Sequence, residues 1–308
     1  MTSVRKRFHG VVIPVVTPFT RDEALDEPAV GHILDHVLEG GVRAVLLLGT
    51  TGEGASMPPA MRLRLVEVAV ERLSGKATVY ANVSSDSLAD SIKAARRFHA
   101  IGVDALVAHL PVYYPLEPPE MQRWFERLAD ELPAPLFLYN IPSTTRMSIP
   151  IETVIALGDH PNVAGIKDSE YAPDRMEALL RRLGDRADFA FFVGPTAYAA
   201  RGLSLGAAGF IPGAGNLVPE VCQRLQANAT LGDREAVERL QGLLNRVGDT
   251  YQANRTVSRA IPLIKAGMSA LGLCGPTVLP PLVEPEEAER AAMMAVVNEV
   301  AGRVSAGA

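Results

Sequence analysis

A lysine at the end of an apolar run is a poor choice for packing and a good one for chemistry. In the stretch 162–170, NVAGIKDSE, four apolar residues deliver Lys167, and Asp168, Ser169 and Glu170 come directly after it. Only five of the 30 basic residues are lysines, and this one alone ends what reads as a buried strand. Desolvating an ammonium is costly and lowers its pKa, so a buried lysine can keep a neutral amine near physiological pH. Such an amine attacks a ketone to form a Schiff base. The same side chain can instead carry its ammonium to the rim or pair with Asp168 or Glu170. By itself the stretch divides evenly between the two.

Other apolar runs also end in groups able to do chemistry. After residues 44–48 comes Gly49-Thr50-Thr51-Gly52-Glu53-Gly54, whose glycines let backbone approach a ligand while two hydroxyls stand ready. Converging donors of that kind suit a small carboxylate, although an ordinary glycine-rich turn reads the same way. After residues 105–110 come Tyr113 and Tyr114 beside prolines, where packing is the commoner role. Tyr139 closes the run 136–139, and a tyrosine there can satisfy its hydroxyl on the backbone. Histidine offers a competing, metal-dependent chemistry: His32 and His36 are four apart on one expected helix, and His109 ends a run. Without an HExxH context, solvated helix histidines are the favoured reading.

These residues need strands to carry them. Eight short aliphatic runs, at 11–16, 44–48, 78–83, 105–110, 136–139, 163–166, 189–193 and 208–211, alternate with helical-period stretches. In 27–39, Val30, Ile33, Leu34, Val37 and Leu38 fall on one helical face. Strands apolar at nearly every position belong to parallel sheets covered by helices. Eight of them in about 215 residues predict a (β/α)8 barrel, with active-site residues at strand ends. A doubly wound sheet lacks its GxGxxG turn. The tail reads as helices at 219–228, 233–251, 257–271 and 286–304. The expected organisation is a catalytic barrel over 1–217 and a C-terminal helical region over 218–308.

The bulk properties narrow the function class. With 308 residues, 48% hydrophobic, the chain can bury a large core, and no linker divides its first 215 residues. A net charge of −5 makes no case for nucleic acid or an anionic membrane and suits a small metabolite. The two cysteines, Cys222 and Cys274, form neither a disulfide framework nor a metal motif. The N-terminus lacks an apolar core of signal length, and no apolar run approaches ~18 residues. A soluble, cytoplasmic protein is expected.

Taken together, GTTGEG (49–54), Tyr113-Tyr114, YNIPS (139–143), GIKDS (165–169) and GxIPGxxN (209–216) resemble the dihydrodipicolinate synthase and N-acetylneuraminate lyase family. The five motifs keep the family's order from about residue 9 to about residue 285, with Tyr139 placed 28 residues before Lys167. The resemblance implies a (β/α)8 TIM barrel with a C-terminal helical extension, assembled as a homotetramer. It implies a class I aldolase or lyase that joins or cleaves carbon–carbon bonds next to pyruvate through a lysine Schiff base. Lys167 is then the Schiff-base lysine and Tyr139 the proton shuttle. Thr50, Thr51 and Gly52 seat the substrate carboxylate, and the Ile211 backbone helps hold the imine. Tyr114 matches a tyrosine inserted into a neighbouring subunit to relay protons with Thr50 and Tyr139. No metal or organic cofactor is needed, because the imine is the electron sink.

One departure bears on the substrate. Where dihydrodipicolinate synthases carry an arginine for aspartate semialdehyde, this chain has Thr144, which offers no bidentate clamp. Arg146 stands where the family commonly has glycine, and a solvated loop arginine is the favoured reading. The expectation is a 2-keto-3-deoxy acid or related hydroxy-keto acid as substrate. The synthase, a keto-deoxy-sugar-acid dehydratase and, lower, a non-catalytic binding member are the alternatives.

Overall fold

The computed structural model describes residues 4–305; residues 1–3 and 306–308, the outer ends of the two expected regions, lie outside the described residues. Nine strands occur among the described residues: β1 (Gly10–Val11), β2 (Ile13–Pro14), β3 (Ala44–Leu47), β4 (Thr78–Asn82), β5 (Ala105–His109), β6 (Leu136–Asn140), β7 (Val163–Asp168), β8 (Ala190–Val193) and β9 (Gly209–Phe210). All eight expected runs are strands, the first split into two short pieces. The chain divides into two compact units, Met1–Gly10 with Tyr80–Ile211, and Val11–Val79 with Pro212–Ala308.

In the first unit β4 to β9 pair in parallel and in chain order. Each of β4 to β7 leads into a helix, Leu88–Ile101, Pro118–Glu131, Ile151–Gly158 and Pro173–Leu183 in turn. Every residue of β6 and β7 is buried, as expected for strands covered on both faces. Phe8, Tyr80, Phe137 and Phe192 form a cluster of edge-on and tilted rings with centroids 5.2–6.2 Å apart. Such pairs add to simple area burial, so this cluster anchors the strands that bear it.

The pairing of β6 with β7 slips by one residue: Leu136 faces Val163, but Phe137 faces Gly165. Ala164 is the extra residue of the bulge. Bulges re-aim the side chains beyond them, and Lys167 lies three residues beyond this one. Gly165 tolerates the close approach because a Cβ there would fall 2.1 Å from the Ala190 carbonyl oxygen and 2.6 Å from Phe137 Cε1.

In the second unit β2 and β3 are parallel, with Ile13 facing Val45. Helix Glu27–Glu39 starts where the Asp26 carboxylate accepts the Ala29 N–H at 3.2 Å. Its buried stripe holds Val30, Ile33, Leu34 and Val37, with Leu38 half-buried at the edge. The four expected tail helices are present as Pro219–Leu231, Arg234–Gln252, Val257–Ala270 and Glu287–Ser305. Val257–Ala270 is buried at every position from Ala260 to Met268, including Lys265, so apolar neighbours surround it on all sides. Asn216 stitches the unit: its side chain accepts the Val16 N–H and donates to the carbonyls of Pro14 and Gly213, each at 3.0 Å.

Candidate active site

Tyr139 faces Lys167 across the β6–β7 ladder, and Asn140 faces Asp168. Side chains alternate along a strand, so the first pair shares one face of the sheet and the second pair the other. On the first face, Lys167 Nζ sits 4.2 Å from the centroid of the Tyr139 ring. Both residues are buried, 5% and 3% exposed. His109, at the end of β5, meets the Tyr139 ring edge-on at 6.2 Å. Its Nδ1 lies 2.7 Å from the Leu110 carbonyl oxygen, and burial holds its pKa below the ordinary imidazole value.

The opposite face holds the acids that could have paired with Lys167. Asp168 and Glu170 are both met by the Arg175 guanidinium, Nε to oxygen at 2.9 and 3.3 Å. Asn140 Nδ2 donates to each at 3.0 Å, and Ser148 Oγ donates to Glu170 at 2.5 Å. Burial pushes the Asp168 carboxyl up, and Arg175 opposes the shift. Among the described residues Lys167 has no ion-pair partner. Its amine therefore neither reaches the rim nor pairs with the acids beside it. In the loop after the lysine, Asp168 and Glu170 are both engaged by Arg175.

Of the other expected residues in this unit, Tyr113 and Tyr114 are 77% and 69% exposed and stack edge-to-face on each other at 5.0 Å. Thr144 is exposed on the short helix Pro142–Thr145 and donates to the Ile141 carbonyl at 3.2 Å. Arg146 caps that helix at φ 59°, a left-handed conformation unusual for a residue with a side chain, and its side chain is exposed. Ile211 is buried and donates its N–H to the Val193 carbonyl at 2.8 Å.

In the second unit, residues 49–54 wind into consecutive turns. The Gly52 N–H reaches the Gly49 carbonyl at 3.0 Å, Glu53 N–H the Thr50 carbonyl at 3.1 Å, and Gly54 N–H the Gly49 carbonyl at 3.3 Å. Thr17 Oγ1 donates to the Gly52 carbonyl at 2.7 Å. The Gly52 backbone is thus committed to the turn itself. Thr50 is half-buried and Thr51 likewise, both at the crest of the turn. Leu48 and Glu53 both adopt positive φ, 59° and 55°, unusual for residues with side chains.

Two residues of this unit were given no role by residue type and spacing alone. Glu53 and Lys265 form an ion pair with both side chains fully buried. Lys265 interrupts the buried stretch Ala260–Met268, and nothing local in the sequence ties it to Glu53. His36 also departs from expectation: it is half-buried, its Nε2 lies 3.1 Å from the Asn216 carbonyl oxygen, and burial lowers its pKa. His32 is exposed, and among the described residues no three of His, Cys, Asp and Glu are grouped to hold a metal.

Comparison with known proteins shows the family. The model of the dihydrodipicolinate synthetase family matches residues 7–300. The chain belongs to that family. A 4-hydroxy-tetrahydrodipicolinate synthase of Alkalilimnicola ehrlichii is 31% identical over 280 residues, 91% of this chain and 94% of that one. A probable 2-dehydro-3-deoxy-D-pentonate aldolase of Escherichia coli, YjhH, is 30% identical over 285 residues, 92% and 94%. The dihydrodipicolinate synthase structure from Bacteroides thetaiotaomicron superposes with a TM-score of 0.88 at 30% identity, covering 94% of this chain and 98% of that one. YagE, an Escherichia coli prophage protein of the same family solved in complex with pyruvate, superposes at 0.90 with 25% identity, covering 95% and 98%. The fold is the (β/α)8 barrel with C-terminal helices, and the protein is an enzyme of this lyase family. Among the described residues no helix is long and apolar enough to cross a membrane.

Proposed function

We propose that this protein is a pyruvate-dependent class I aldolase, cleaving or forming a carbon–carbon bond of a 2-keto-3-deoxy sugar acid through an imine on Lys167. The observation that carries the reading is the buried Lys167 amine over the Tyr139 ring, with the neighbouring acids held by Arg175 instead. In the cleavage direction the amine adds to the C2 carbonyl and water leaves, giving a protonated imine. Tyr139 takes the proton of the C4 hydroxyl, the C3–C4 bond breaks, and an aldehyde departs. The electron pair goes to the imine as an enamine. Protonation at C3 and hydrolysis return pyruvate and the free lysine. The imine supplies the electron sink, so the reading requires no metal or organic cofactor.

Resemblance assigns the substrate carboxylate to Thr50, Thr51 and Gly52, the imine-seating backbone to Ile211, and a proton relay to Thr50 and Tyr114. The exposed Tyr113–Tyr114 pair supports a homotetramer in which Tyr114 serves a neighbouring subunit. A cytoplasmic enzyme of small-molecule substrates completes the reading. The named synthase relatives favour a second reading, condensation of pyruvate with aspartate semialdehyde. Thr144 argues against it, because an exposed hydroxyl bonded to its own turn supplies no charge to a carboxylate.

The test is to trap the protein with pyruvate and borohydride and map the adduct by mass spectrometry. A single adduct on Lys167 is expected, and an adduct elsewhere or none refutes the assignment. A parallel panel compares short hydroxy-aldehydes with aspartate semialdehyde as partners for pyruvate. Faster turnover of the semialdehyde replaces the first reading with the second.

A further inference from the structure

The second buried lysine has no part in the chemistry above, yet it is the more deeply enclosed of the two. Lys265 and Glu53 are both fully buried and lie 212 residues apart in the chain. Every polar atom of the pair is spoken for. Lys265 Nζ donates to Glu53 Oε1 and, at 2.9 Å, to the Thr277 carbonyl, and it sits 4.2 Å over the Phe19 ring. Glu53 Oε2 accepts the Leu279 N–H at 2.8 Å. Burial pushes the Glu53 carboxyl up and the Lys265 ammonium down, each opposed by the charge of the other.

Stability alone is a weak reason for such a pair, since buried ion pairs roughly balance desolvation against attraction. Geometry gives a stronger one. Glu53 is the residue at which the 49–54 turn enters the left-handed region, at φ 55°. Gly54 comes next with no room for a side chain, its Cβ position being 2.1 Å from the Leu48 carbonyl oxygen. Strained backbone of this kind persists only where its surroundings over-determine it. The surroundings here are helix Val257–Ala270 and the segment 277–279, both from the C-terminal tail.

We propose that Glu53 and Lys265 are positioning residues: through them the C-terminal helices hold the Thr50–Thr51 turn in the shape that receives the substrate carboxylate. The inference rests on the aldolase reading. It gives the tail a functional task beyond packing, namely fixing a turn some two hundred residues away in sequence.

The experiment compares wild type with Lys265→Met and with the apolar double variant E53M/K265M. Each is measured for melting temperature, for hydrogen exchange of the 49–54 amides by mass spectrometry, and for the pyruvate concentration giving half-maximal borohydride trapping. The single variant leaves a buried carboxylate unpaired and loses melting temperature; the double variant recovers it. In both, half-saturation rises about tenfold or more and the turn amides exchange about tenfold faster, because an apolar pair cannot reproduce the bonds that fix the turn. Trapping extent at saturating pyruvate stays at the wild-type level. A double variant with wild-type half-saturation and wild-type exchange shows a purely structural pair and overturns the proposal. If the double variant does not fold, Glu53→Asp keeps both charges, shortens the reach by one methylene and is judged by the same readouts. A wild-type protein that traps no pyruvate refutes the aldolase reading, and exchange at 49–54 then decides the positioning role alone.

Discussion

Replacing Gly165 by alanine tests whether the β7 bulge sets the position of Lys167. The added Cβ would lie 2.1 Å from the Ala190 carbonyl oxygen and 2.6 Å from Phe137 Cε1. Comfortable contact needs more than about 3.4 Å, so the neighbours must part by roughly 1 Å. Phe137 cannot easily yield, being wedged among Phe8, Tyr80 and Phe192. The Ala190 oxygen is main chain of the adjacent strand, so β7 itself must move, and Lys167 lies two residues on. Overpacking of this sort costs about 1–3 kcal/mol, and a clash against backbone belongs at the upper end. At about 2–4 °C per kcal/mol, the melting temperature should fall by about 5–10 °C. A displacement of about 1 Å at a reacting group can lower its rate by about 10²-fold, and borohydride trapping of pyruvate should slow accordingly. Adding Phe137→Leu should rescue little, because the closest clash is to a carbonyl. If Gly165→Ala melted within about 1 °C of wild type and trapped pyruvate at the wild-type rate, the bulge would have no part in aiming Lys167.

The same geometry sets three further outcomes. Tyr139→Phe should lower turnover by about 10²–10⁴-fold while leaving pyruvate trapping at Lys167 nearly intact; equal losses in both would make Tyr139 a packing residue. Arg175→Leu strands two acids and should cost about 3–5 kcal/mol in urea unfolding. Since burial already raises the Asp168 pKa above its unfolded value, that variant should be less destabilised at pH 5 than at pH 8, and a pH-independent loss would contradict the account. His36 and His109 both have folded pKa values lowered by burial, so their stabilisation is complete above about pH 6.5 and is lost as pH falls through the folded values. Replacing both by glutamine should flatten the decline of melting temperature between about pH 7 and pH 5, and an unchanged slope would assign it to other groups.

The strands and helices were legible in the sequence because local pattern determines them. Glu27–Glu39 matches the expected bounds residue for residue, since an acidic cap starts it and an apolar stripe runs its length. The short helix Pro142–Thr145 was not legible, because four residues carry no period. The strand-end chemistry was visible as residue types, but the faces were not. Lys167 and Asp168 are adjacent in sequence, and only the ladder, with its one-residue slip at Leu136–Phe137, sends the lysine to Tyr139 and the acid to Arg175. Next to the slip, Gly165 lies so close to the Ala190 carbonyl of β8 that a Cβ would fall 2.1 Å from its oxygen, a contact made 25 residues along the chain that no local pattern encodes.

The two buried lysines show which signals residue patterns carry well and which they hide. Lys167 stood out because it ends a strand, where barrels place their chemistry. Lys265 did not, because a helix interrupted by one lysine still reads as amphipathic, and nothing local says that its partner is 212 residues earlier. Burial alone does not separate a nucleophile from a strut, since Lys265 is the more buried of the two. The partner set does. Lys265 is enclosed by a carboxylate, a carbonyl and an aromatic face that leave its amine no free approach. Lys167 has an aromatic face on one side and no acid bound to it among the described residues, while the acids next to it in sequence are drawn off by Arg175. An amine kept buried and without an acid partner among the described residues is the arrangement that a carbonyl substrate can exploit, and Arg175 meets both of the acids that follow it in sequence.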